Sequence, residues 1–192
     1  MLVTREIDID MGHRVPNHKS KCRNLHGHRY TIEVGCDDKV VDTQGASDEG
    51  MVIDFSDLKE IMMDVIDAKY DHGFVMYEKD NFKPMFEMMG YGLGTTDCQQ
   101  IYEAVDKASV EITILEKEQK IIFVPFIPTA ENLSKHWYEL LKPVLQERGI
   151  KIKYVKVKET PTTTATYEES NLLVEPDQVN IDVEKLNEVT NG

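Results

Sequence analysis

The sequence predicts an α+β domain, and three observations carry that expectation. Residues 5–13 and 26–36 alternate apolar and polar side chains with the period of a half-buried strand. Two later stretches, from Asp54 and from Pro128-Thr129, place apolar residues at helical spacing. Beyond the second of these, 151–159 alternates again and 162–168 reads as its antiparallel neighbour.

Taken in order, the first strand puts Ile7, Ile9, Met11 and His13 on one face, with Asp8 and Asp10 on the other. The second puts His26, His28, Tyr30, Ile32, Val34 and Cys36 on one face, with Arg29, Thr31 and Glu33 opposite. Each strand therefore carries histidine at one end of an apolar face. Val15–Leu25, with Pro16, Asn17 and Asn24, reads as a loop. Asp54 or Ser56 caps the first helix, whose apolar positions are Phe55, Leu58, Ile61, Met62, Val65 and the stem of Lys69. That helix should stop near Tyr70, because Gly73 follows Asp71-His72. Thr129 caps the second, which buries Leu133, Trp137, Leu140, Leu141 and Val144, and Pro143 should limit or kink its end. Between them, Asp97–Lys107 reads as a short helix, and Val110–Leu115 with Lys120–Phe126 as a hairpin across Glu116–Gln119. From Glu168 onward seven acids stand against one lysine, which suggests an acidic tail or a loosely docked helix.

Composition narrows the function classes. At 192 residues and 41% hydrophobic content the chain can bury a core, and no apolar run approaches membrane-spanning length. Its N-terminus alternates like a strand and does not resemble a signal peptide. A net charge of −13 argues against nucleic acid as a partner, since that needs a basic footprint. Cys22, Cys36 and Cys98 are odd in number and widely spaced, which fits a reducing cytoplasm better than a disulfide framework. Residues 11–30 nevertheless hold Arg14, Lys19, Lys21, Arg23 and Arg29 without one acid. In an acidic protein such an island is either a solvated loop or a receptor for a small anion.

The chemistry concentrates in Cys22-Arg-Asn-Leu-His26-Gly-His28. Histidines at i and i+2 of a strand point the same way, about 7 Å apart by strand rise, so both imidazoles can converge on one ion. His13 ends the matching face of the preceding strand and supplies a third ligand. Three histidines with an open fourth position describe a catalytic zinc site rather than a closed structural one. A free cysteine is more often a small core residue, but Cys22 lies in a cationic loop, where neighbouring charge favours a thiolate fit to act as base or nucleophile. Asp71-His72 reads either as a helix-capping histidine or as an acid–base unit. Glu159, at a strand end, is otherwise a solvated acid. His18 and His136 are most simply surface residues, and Cys36 reads as core.

Together these pieces resemble the family of 6-pyruvoyl-tetrahydropterin synthase and 6-carboxytetrahydropterin synthase. The matching segments are Gly12-His13-Arg14, Cys22-x-x-x-His26-Gly27-His28, Gly50-Met-Val-Ile-Asp54-Phe55, Tyr70-Asp71-His72, Pro128-Thr129-Ala-Glu131-Asn132 and Val157-Lys158-Glu159-Thr160. They cover about residues 3–78 and 126–168; the 79–125 segment and the tail exceed the compact pattern.

The resemblance implies the tunnelling fold, an antiparallel four-stranded sheet with two helices on one face. A single domain would then span 1–168, with an insertion at about 79–125 and the tail at 169–192. Subunits of such proteins join into a barrel, commonly as a hexamer, with active sites at subunit interfaces. By the same resemblance His13, His26 and His28 bind Zn²⁺, Cys22 accepts a proton, Asp71 and His72 relay protons, and Glu159 anchors the pterin and joins the relay. Thr129, Ala130 and Glu131 line the pterin pocket. The three-residue gap between Cys22 and His26 resembles the 6-carboxy enzymes of deazaguanine (queuosine-type) biosynthesis. The implied reaction converts 7,8-dihydroneopterin triphosphate to 6-carboxytetrahydropterin with release of acetaldehyde and triphosphate. Alternatives on the same residues are 6-pyruvoyl synthesis from that substrate, a related dihydroneopterin-processing activity, and a non-catalytic zinc protein with a closed Cys₁His₃ site. For the triphosphate, the basic island offers Lys19, Lys21 and Arg23, with Arg14 as a further contact and Arg29 facing away.

Overall fold

The computed structural model describes residues 1–91, 100–103, 113–116 and 119–169. Its frame is a long antiparallel pairing of β1 (Leu2–His13) with β2 (His26–Asp37), in unbroken register from Leu2↔Asp37 to His13↔His26. Ile7 stands opposite Ile32, Ile9 opposite Tyr30 and Met11 opposite His28, so the two apolar faces coincide. A slip of one residue would turn every one of these side chains outward, which is why the pattern fixes the register. The opposite face is polar and tied by cross-strand pairs, Asp10 with Arg29, Asp8 with Thr31, Glu6 with Lys158, and Glu33 with Lys156 and Tyr154.

β7 (Ile152–Thr160) and β8 (Thr163–Glu168) continue the antiparallel sheet beyond β2. The expected four-stranded block is thus present, but among the described residues it is half of an eight-stranded sheet, whose other four strands lie beyond β1. On the free edge of β1, β3 (Phe74–Tyr77) pairs in parallel through Gly12↔Phe74 and His13↔Val75, and β6 (Lys120–Val124) runs parallel to β3. β5 (Thr113–Glu116) forms the expected hairpin with β6, and β4 (Gln100–Glu103) closes that edge. The short helix read over Asp97–Lys107 is corrected there: Gln100–Glu103 pairs with β5, and an Ile-Tyr pair suits a pleated surface better than a helix. The rest of that stretch, with Cys98, and the tail after Glu169 lie outside the described residues.

The core fills the space between the apolar sheet face and two helical segments. α1 (Phe55–Met62) is capped by Asp54, whose carboxylate accepts the Ser56 amide at 2.7 Å. It widens into a π-helical turn (Met63–Asp67) and returns to α-helix as α2 (Ala68–Tyr70). Leu58, Ile61, Met62, Val65, Ile66 and Tyr70 are buried, but Phe55 is 52% exposed and does not belong to the stripe. The short α3 (Lys83–Phe86) follows β3. α4 (Ala130–Glu147) carries Leu133, Trp137, Leu140 and Leu141 into the core and passes through Pro143 for another turn. No helix among the described residues is long and apolar enough to cross a membrane.

His136 is the clearest departure from expectation: it is 2% exposed. Its Nε2 and the buried Tyr70 hydroxyl lie 2.5 Å apart, and that partner makes a core imidazole tolerable. Burial drives its pKa down from 6.5 to about 3. Because the folded value is depressed, the unfolded chain takes the proton first as pH falls. Full stability holds above pH 6.5 and is lost toward pH 3, a loss on the order of 4 kcal/mol from this group. His136→Gln should therefore show a shallower decline of Tm with acidification than the parent; equal slopes across that window would refute the assignment.

Candidate active site

The register His13↔His26 places two of the three histidines side by side at the open end of the β1–β2 pair, and His28 lies one pleat further in. Ring centroids are 4.5 Å apart for His13–His26, 5.3 Å for His13–His28 and 5.1 Å for His26–His28. One ligand nitrogen of each lies within 4.8 Å of the others. Two tautomers are fixed from behind. His13 Nδ1 donates to the Pro128 carbonyl at 2.7 Å, and His26 Nδ1 donates to the Asn24 carbonyl at 2.8 Å, which leaves both Nε2 lone pairs free to bind an ion.

His13 Nε2 is buried and lacks a hydrogen bond. Burial, the largest influence, lowers the pKa of this ring, with the neighbouring His26 and His28 adding to the effect against the Pro128 carbonyl and Glu159. The ring is thereby kept neutral, the form that ligates metal. An orphaned buried nitrogen in a cluster of three imidazoles fits a divalent ion of zinc's preference. Among the described residues this cluster contains neither Cys22 nor Glu159.

Glycine makes the close pairing possible. Gly12 and Gly27 face each other between the Met11/His28 and His13/His26 pairs. A Cβ on Gly27 would lie 2.9 Å from the Met11 carbonyl oxygen, and one on Gly12 would lie 2.5 Å from the Phe74 ring.

Cys22 sits in a single 3₁₀ turn (Lys21–Arg23) and is partly buried. Its Sγ is 4.0 Å from the Ser20 hydroxyl. Beside it on the apolar face, Tyr30 is buried and donates to Glu159 Oε1 at 3.3 Å. The Tyr30 hydroxyl is pushed far above its ordinary value, by burial first and then by the charges of Glu159 and Cys22. Glu159 Oε1 also lies 3.5 Å from His13 Nε2, so strand β7 delivers its acid to the triad. The Pro128–Thr129 start of α4 adjoins the triad through the Pro128 carbonyl, with Thr129 capping the helix.

Asp71 and His72 form a tight unit of their own. Asp71 Oδ2 accepts from His72 Nδ1 at 2.6 Å, and Asp71 Oδ1 accepts the Asp10 amide at 2.8 Å. Burial works against the Asp71 charge, but the Asp10 amide and His72 outweigh it and lower its pKa. His72 adopts a left-handed backbone (φ 55°) and donates its amide to the Asp10 carbonyl. It lines an open depression of about 540 Å³ with Asp10, Gly12, Gly27, His28, Arg29 and Lys120, so the Asp71-His72 unit and one histidine of the triad border the same space.

Lys19, Lys21 and Arg23 are exposed on the loop that carries Cys22, and Arg29 is engaged by Asp10 on the polar face. Arg14 is corrected: it is buried and paired with Asp80 at 2.7 Å, which removes it from the phosphate contacts. Asp80 is the residue that sequence reasoning missed, and only its place just after a strand hinted at it.

A family model described as 6-pyruvoyl tetrahydropterin synthase matches residues 2–170. The chain is 30% identical over 168 residues to a 6-carboxy-5,6,7,8-tetrahydropterin synthase of Haemophilus influenzae, covering 87% of this chain and 98% of that one. It is 34% identical over 154 residues to the protein of that name from Aquifex aeolicus, covering 78% and 77%. Among solved structures, an uncharacterized protein of Wolinella succinogenes superposes with a TM-score of 0.68 at 22% identity, over 88% of this chain and 98% of that one. The 6-pyruvoyl tetrahydropterin synthase of Caenorhabditis elegans gives 0.53 at 24% identity, over 88% and 96%. Matched over residues 2–170, the chain belongs to the 6-pyruvoyl tetrahydropterin synthase family, as a lyase similar to the 6-carboxy-5,6,7,8-tetrahydropterin synthases.

Proposed function

We propose that this protein converts 7,8-dihydroneopterin triphosphate and water to 6-carboxy-5,6,7,8-tetrahydropterin, acetaldehyde and triphosphate, in deazaguanine (queuosine-type) biosynthesis in the cytoplasm. The observation that carries the reading is the imidazole triad, with Cys22 outside it but near enough to Tyr30 to act on its hydroxyl, in a chain related to proteins of that name. His13, His26 and His28 would hold Zn²⁺. Bound there, the ion supplies Lewis-acid polarisation of the substrate's side-chain hydroxyls, so that adjacent C–H protons are more easily removed. Cys22 takes a proton, and His72, oriented by Asp71, moves one on the other side of the substrate. A second copy of the chain would border the site at a subunit interface, in a homo-oligomeric barrel of the hexameric kind the resemblance implies. Residues 1–168 would form the domain of that barrel, with 79–125 inserted and 169–192 as an acidic tail.

Glu159, with Thr129, Ala130 and Glu131, fixes the pterin ring and orients its side chain. Glu159→Gln should raise KM for the pterin more than it lowers kcat; unchanged affinity would place the anchor elsewhere. Lys19, Lys21 and Arg23 hold the triphosphate against the repulsion of an otherwise acidic protein. Changing Lys19 and Lys21 together to Gln should raise KM up to about tenfold and flatten its salt dependence. Turnover of an unphosphorylated pterin such as sepiapterin, if accepted, should be spared. Equal losses on both substrates would mean that the loop does not read phosphate.

Mass spectrometry of the products from dihydroneopterin triphosphate tests the reaction. A 6-carboxypterin together with acetaldehyde supports it. A product that keeps the three-carbon side chain, without acetaldehyde, assigns 6-pyruvoyl synthesis instead.

A further inference from the structure

The loop that carries Cys22 has no secondary structure beyond one 3₁₀ turn, yet its backbone is pinned at the cysteine and at the residue after it. The Val15 amide donates to the Cys22 carbonyl at 2.8 Å, and Arg14 Nε donates to the Arg23 carbonyl at 3.1 Å. Only the second bond comes from a side chain, and that side chain is itself fully engaged. Arg14 NH1 donates to Asp80 Oδ1 at 2.7 Å and to Asn81 Oδ1 at 3.3 Å, and the guanidinium carbon lies 3.8 Å above the Phe82 ring. Asp80 is itself rigid: its side chain is 0% exposed, and Oδ1 also accepts the Phe82 amide at 2.7 Å.

A buried ion pair is weak evidence of stability, because its desolvation offsets much of its attraction. Its geometric effect is less ambiguous. A guanidinium fixed by a bidentate-capable fork and a stacked ring presents Nε in one direction. Here that direction is the backbone immediately after Cys22. The same Arg14 follows His13, so one residue ties the end of β1, the cysteine loop and the turn after β3.

We propose that Arg14, held by Asp80, is a positioning residue that sets where the Cys22 thiol stands relative to the histidine triad. It does not touch the substrate. Its influence on turnover rests on the proposed role of Cys22; its influence on the thiol's surroundings does not.

Arg14→Lys keeps the charge that buried Asp80 needs, so the fold is retained, but it loses the bond to the Arg23 carbonyl and the stacking on Phe82. Asp80→Asn removes the anion that fixes the guanidinium. Three measurements on the zinc-loaded full-length protein test the idea. First, the rate of Cys22 alkylation by iodoacetamide, followed by peptide mass mapping at 25 °C well below Tm, should rise severalfold in both variants, with buried Cys36 as the internal control. Second, zinc per chain should be unchanged. Third, kcat should fall about tenfold or more with little change in KM, the scale of a sub-ångström to ångström misplacement of a catalytic group. In the double variant the alkylation rate should equal that of the stronger single variant, because both act through one contact. Alkylation rates equal to the parent's in both single variants would overturn the proposal, as would losses that follow only Tm or zinc content. If the parent does not turn over dihydroneopterin triphosphate, the proposed reaction fails, while the alkylation and zinc measurements still decide whether Arg14 positions the loop.

Discussion

Alanine in place of His26 or of His28 should remove zinc and turnover together. Each ring contributes one of three nitrogens that lie within 4.8 Å of one another, and two remaining imidazoles hold a divalent ion weakly. The loss of affinity should exceed the roughly 10–100-fold that follows removal of a residue that merely orients a ligand. Metal analysis after gel filtration should give one zinc per chain for the parent and almost none for either variant. X-ray absorption on the loaded parent should show nitrogen neighbours and no sulfur. Stoichiometric zinc in both variants would end the triad assignment, and a zinc–sulfur distance would make the site the closed kind that includes Cys22.

Cys22→Ala has the second large effect, and its signature is a separation of binding from chemistry. Because the thiol lies outside the histidine cluster, the variant should keep zinc and bind the pterin, measured by fluorescence titration, with nearly parental affinity. Turnover should fall about a thousandfold, within the range for loss of a positioned proton acceptor. Loss of zinc in this variant would identify the thiol as a ligand.

Much of the site was legible in the sequence because a strand converts spacing into direction. His26 and His28 had to face one way, and the matching apolar positions of β1 and β2 fixed the register that brings His13 to His26. What was not legible depends on partners distant in sequence. β3 has four residues, too few for a period, and it exists because the free edge of β1 pairs with it at Gly12 and His13. Asp80 looks like any acid in a turn until Arg14 meets it across 66 positions. For His136 the signal was present but unread. It lies three residues after Leu133 and four before Leu140, inside the apolar stripe, and a histidine there finds a buried partner in Tyr70. The Asp71-His72 unit was legible as a pair because its members are adjacent in sequence, and the chain ties them at 2.6 Å.

The glycine pair between the histidines widens the candidate metal site as a target for inactivating mutation. Gly12 and Gly27 bind nothing, but any side chain on Gly27 meets the backbone of β1, and any on Gly12 meets the Phe74 ring. The Gly27 collision is relieved by parting β2 from β1, the pairing that holds His13 beside His26, and the Gly12 collision by displacing the Phe74 ring or parting β3 from the β1 end that carries His13. A random library screened for retained metal should therefore be depleted at these two glycines as strongly as at the histidines themselves, although an alignment of ligand atoms alone would mark them as neutral.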